Sequence, residues 1–154
     1  MDDARFWELV SALDWKHEDD DGNVVEPVVK ALAAMPDAEI AAFQNTLTAK
    51  LFALDGRVWA RESGDSIWWG EPDFLSSDAF LYARCVVVAN GREFYDTVLS
   101  DPTQMPKDME FESLLYVAPK AYERKTGTSG DAVRDLTDLS YETGSNPEGW
   151  PHDG

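Results

Sequence analysis

The chain has 154 residues, 44% of them hydrophobic and 12% aromatic, enough to bury a core without disulfide or metal support. Thirteen Lys and Arg stand against thirty Asp and Glu, a formal charge of -17, with a pI near 4.2. Residues 1–77 carry sixteen acids and six bases, and residues 78–154 carry fourteen and seven, so the charge is spread along the whole chain. Such a surface repels phosphate backbones and anionic headgroups, which argues against direct binding to nucleic acid or to a membrane.

Cys85 is the only cysteine, so neither an internal disulfide nor a cysteine-based zinc site can form. The N-terminus has no basic segment followed by an apolar one, and the longest aliphatic run, residues 85–89, is far too short to span a bilayer. These features predict a soluble, cytoplasmic protein.

Residues 2–14 place Phe6, Leu9, Val10 and Leu13 at helical spacing behind an acidic start, which predicts an amphipathic helix. A charged loop over 16–23 leads to a second helix over 24–35, with Val28, Val29, Leu32 and Met35 on one face and Pro27 in its first turn. Asp37 caps a third, carrying the stripe Ile40, Phe43, Leu47, Leu51 and Leu54; it ends at Asp55 or continues weakly through Gly56 to Val58 and Trp59.

Residues 62–75 lose the periodicity and form a connection with Trp68 and Trp69 side by side. A fourth helix starts near Ser76–Asp78 and stops at Asn90-Gly91, although Cys-Val-Val-Val before Asn-Gly leaves a strand and hairpin open as the alternative. A fifth covers 92–99, and a sixth covers 110–125, kinked by Pro119 and closed by Gly127. Val133, Leu136 and Leu139 mark one further short helix, and the stretch from Thr143 is rich in Gly, Pro, Ser and Asn. The expectation is an all-α, single-domain bundle of about six helices over residues 1–140, with 141–154 as a mobile tail.

The order of Phe6-Trp7-Glu8-Leu9, Trp59, the 76–91 segment and the 112–127 segment resembles the bacterial domain of unknown function 4240 family over about residues 4–127. Ser76, Asp78, Phe80, Arg84, Gly91 and Pro102 stand where that family carries its central serine, acid, phenylalanine, arginine, glycine and proline. The chain departs from the pattern in four ways. Ser77 replaces an acid, Ala83 a phenylalanine and Val86 a tryptophan, and the Gly-Gly-Cys that often precedes the serine is absent. The resemblance implies a helical bacterial protein and no particular reaction.

Few residues point to chemistry. Glu18 to Asn23 has the composition of a calcium loop, but with Gly22 at the sixth position the twelfth is Val28, where a bidentate glutamate belongs. Arg84, one base in an acidic protein, reads either as an anion clamp near Ser76 and Asp78 or as a structural ion pair reaching another element beneath a Ser76 or Ser77 cap. Trp68 and Trp69, with Asp65, Glu71 and Asp73, either line a pocket for a cationic or aromatic ligand or fold over the core.

His17 lies in the acidic loop and His152 in the tail, so neither is positioned as a base for Cys85 or a serine, and Cys85 reads as a core residue. No phosphate loop, dinucleotide fingerprint or metal-ligand spacing occurs, so no cofactor and no metal are expected. These observations predict a non-catalytic, inhibitor-like or immunity-like interaction protein engaging a basic partner, its oligomeric state open. The alternative is a small enzyme or ligand-binding domain with a site around Trp59, Trp68, Trp69, Asp78 and Arg84.

Overall fold

A computed structural model describes residues 1–68, 74–133 and 138–151. Among the described residues the secondary structure is helical and contains no strand. Seven α-helices run in chain order: α1 Asp3–Val10, α2 Asp21–Ala33, α3 Asp37–Ala53, α4 Arg57–Ala60, α5 Ser77–Ala89, α6 Arg92–Ser100 and α7 Val117–Thr126. Short 3-10 turns lie at Trp15–His17, Asp65–Ile67, Pro102–Gln104, Glu112–Tyr116 and Gly130–Ala132. Among the described residues, no helix is long and apolar enough to cross a membrane.

The backbone divides into two compact units, Met1–Leu47 with Glu112–Asp138, and Thr48–Phe111 with Leu139–Gly154. In the first, α2 packs along α7, and the buried residues are mostly aliphatic and aromatic, with Gln44 among them. Phe6, Val24, Leu32, Ile40, Phe43 and Leu47 are fully buried, with the Phe6 and Phe43 rings 5.1 Å apart. Burying each phenylalanine stabilises the unit by about 1.5–3 kcal/mol. The rim of the α2–α7 seam is charged: Arg124 grips Glu26 with both ends of its fork, and Lys125 reaches Asp37 at 2.8 Å.

In the second unit α5 is the central rod. Ten of its thirteen residues are buried, so it is apolar nearly all round, the property of a helix enclosed on every side. Gly91 separates it from α6 in a positive-φ conformation, φ +99°, which glycine adopts without steric cost. Cys85 to Val88 are helical, which removes the strand and hairpin alternative.

Four boundaries differ from the sequence expectation, the first being that of α1, which stops at Val10 rather than near Asp14. The second helix begins at Asp21, because the carboxylate of Asp20 accepts the Asn23 amide and caps it. Half of the acidic loop is therefore helix, and Pro27 sits seven residues in, with no N–H to offer the Asn23 carbonyl. The sixth helix is a 3-10 turn followed by α7; Pro119 is the third residue of α7, where a missing N–H costs nothing, so no kink arises. The third helix stops at Ala53, and α4 is a separate turn. Leu136, on which the last short helix depended, lies outside the described residues.

Candidate functional site

Asp55 is fully buried two residues beyond the end of α3, and its carboxylate accepts three hydrogen bonds: from the Gly144 amide at 3.1 Å, the Asn146 amide at 3.0 Å and the Trp150 indole at 2.7 Å. A carboxylate at a helix C-terminus meets the negative end of the dipole, so an acid here needs donors and a nearby positive charge. Arg84, two turns into α5, supplies the charge. Its Nη1 donates to the Leu51 carbonyl at 2.9 Å and its Nη2 to the Thr143 hydroxyl at 3.0 Å.

The last turn of α3 tightens, with the Leu54 and Asp55 amides reaching the Leu51 and Phe52 carbonyls, and side chains from elsewhere in the unit reach three carbonyls in succession. The Tyr95 hydroxyl donates to Lys50 at 2.8 Å, Arg84 to Leu51, and the Asn146 side chain to Phe52 at 3.1 Å. Thr143, bonded to Arg84, donates in turn to the Ser77 carbonyl at 2.7 Å. Gly149 lies so close to the Asp55 carbonyl that a side chain has no room, and its own carbonyl accepts the Arg57 amide at 2.9 Å.

Arg84 has no solvent exposure, and its guanidinium stands 4.7 Å from the centre of the Phe80 ring. Its pKa is lowered by burial, a trend opposed by the charges of Asp55, Cys85 and Glu142. Among the described residues, its Nε–H has no hydrogen-bond partner. Trp150 packs edge-on to Phe80, 6.1 Å between ring centres.

The other residues predicted from sequence sit around this hub in separate settings. Ser76 caps α5, its hydroxyl accepting the Ala79 amide at 3.2 Å, and Asp78 is exposed in the first turn, where its charge suits the dipole. Trp59 donates its indole N–H to Val98 at 2.9 Å, and Trp68 donates to Ala60 at 2.8 Å; both are half-buried. Trp69, Glu71 and Asp73 lie outside the described residues. No hydrogen bond joins Trp59, Trp68, Asp78 and Arg84 to one another among the described residues.

A second polar knot holds the turn before Trp68. Asp108, with φ +57°, accepts from the Ser66 amide at 2.9 Å and hydroxyl at 2.7 Å, bonds that hold its carboxyl below the usual range. Gly64 opposite has φ +96° and no space for a side chain. Among the described residues, no group of three or more His, Cys, Asp or Glu is arranged to hold a metal ion.

Sequence reasoning missed Asp55, Thr143, Asn146 and Trp150. Two signals were present: an acid at the C-terminal end of a long apolar stripe, against the dipole, and a tryptophan in an otherwise small and polar tail.

Compared with known proteins, residues 1–124 match the family model described as Protein of unknown function (DUF4240). No curated protein and no solved structure gives a significant match.

Proposed function

We propose that this chain, which belongs to the DUF4240 family of proteins of unknown function, acts by binding a basic protein partner through its acidic surface, as an inhibitor or immunity protein does. The charge of -17 carries the reading. Internal pairing leaves the net charge unchanged but leaves few bases free at the surface. Arg84 is buried, and Arg5, Arg92, Lys107, Arg124 and Lys125 each lie within ion-pair distance of a carboxylate of the same chain. At least six of the thirteen bases are thus engaged internally, which leaves at most seven to offset the carboxylates that remain.

A field of this sign steers a basic partner into encounter and raises the association rate, an effect that salt screens over about 10 Å at 0.1 M. The test is affinity capture from the native host with the intact protein at two salt concentrations, followed by association kinetics with the purified partner. The expected result is a basic protein held at low salt, whose association rate falls about tenfold or more between ~0.05 and ~0.5 M salt. A neutral partner recovered equally at both salt levels, or no partner at either, overturns the reading.

A further inference from the structure

The guanidinium of Arg84 has an edge on which Nε–H and Nη2–H lie side by side, the edge that a carboxylate fills with both oxygens. Here that edge is half used. Nη2 donates to the Thr143 hydroxyl, and Nε, fully buried, donates to nothing among the described residues. An open buried donor is costly, and the segment above Arg84 that carries Thr143 leaves it unsatisfied.

That segment, residues 139–151, lies beyond the 1–124 family match, and none of its residues is buried. Its described anchors on Asp55 and Arg84 are polar: three donors to one carboxylate and one hydroxyl to one guanidinium. Phe80, beneath the guanidinium, holds its plane in place.

We propose that residues 139–151 are a displaceable strap over a site for a small zwitterion, whose carboxylate takes the Nε/Nη2 edge of Arg84 and whose ammonium takes the Asp55 carboxylate. The charges select this class of ligand. Lifting the strap strips Asp55 of three donors and Arg84 of one acceptor. A simple anion serves Arg84 and leaves Asp55 bare beside it; a simple cation does the reverse. Only a ligand carrying both charges restores both partners, and the negative end of the α3 dipole favours its ammonium. A net-neutral ligand also escapes the repulsion that the -17 field exerts on anions. In the closed protein Thr143 and the Gly144 and Asn146 amides stand in for the two ends of the ligand. This inference does not depend on a macromolecular partner.

The intact, nitrogen-15-labelled protein tests it, titrated with glycine and with glycylglycine, which separate their charges by different lengths, and with acetate and methylammonium as single-charge controls. Binding is read from the Arg84 Nε–H resonance and from hydrogen exchange at the Gly144 and Asn146 amides and the Trp150 indole. The expected result is a saturable downfield shift of Nε–H and exchange faster by about tenfold with at least one zwitterion, equivalent to ~1.4 kcal/mol of opening, and neither effect with the controls. Thr143→Val, which removes the stand-in hydroxyl, should tighten zwitterion binding about threefold or more, and Thr143→Ser should restore the original affinity. Silence with both zwitterions, or an equal response to acetate, overturns the proposal. Unchanged affinity in a folded Thr143→Val does the same; should that variant not fold, the titration of the unaltered protein decides.

Discussion

The two units bury different things. The first, built on α2 and α7, encloses mostly aliphatic and aromatic side chains, with uncharged Gln44, and keeps its forked ion pair, Arg124 with Glu26, about half exposed at the rim. The second encloses Asp55, Arg84, Ser63 and Thr48 with its apolar residues, and uses the first two to close the end of α3. A helix that ends at the surface can leave its last carbonyls to water; one that ends inside must bring donors with it. Tyr95, Arg84 and Asn146 are those donors, drawn from three separate stretches of chain.

This contrast is broken most directly at Asp55. Asp55→Ala leaves the Gly144 and Asn146 amides, the Trp150 indole and a buried guanidinium without their acceptor or counter-charge, and should destabilise the protein by about 3–5 kcal/mol in urea denaturation. A loss below ~1 kcal/mol would show that water replaces the carboxylate and that the end of α3 is not closed.

A smaller effect is expected at the start of α5. Ser76→Ala removes a cap and should cost about 1 kcal/mol, while Ser76→Asp should recover most of it. Thermal unfolding of the pair distinguishes a capping hydroxyl from one needed for anything else, because a cap accepts either side chain.

The smallest effect belongs to the first unit. The Arg124 hydrogen bond and charge hold Glu26 below its ordinary pKa, so its contribution is present above the unfolded value of 4.5 and is lost as pH falls through the folded one. Because the pair is about half exposed, Glu26→Gln should cost only about 0.2–1 kcal/mol near pH 7. The difference from the unaltered protein should vanish at acid pH and shrink in high salt. A cost that persists at ~1 M salt would place this pair with the buried hub rather than with the rim.

The helices themselves were legible. The stripe Ile40, Phe43, Leu47, Leu51 and Leu54 is wholly buried, as its spacing predicted, and Ser76 and Asn90-Gly91 bracket α5 where capping rules place them. Boundaries set by short-range competition were less so: Asp20 started α2 a turn early, and Pro119 divided the predicted sixth helix without bending it. Arg84 stood out as a lone base in an apolar helix, but its partners are a main-chain carbonyl and a threonine 59 residues away.

Local sequence determined what depends on neighbours in the chain: the period of apolar residues, the caps, the glycine stop and the net charge. Tertiary structure alone decided what Asp55 and Arg84 touch. Their partners are mostly backbone groups, which every residue carries alike, so no side-chain pattern encodes which carbonyl or amide arrives. The chain reveals such a pairing only when folding brings a helix end, a buried base and a distant polar segment to one place.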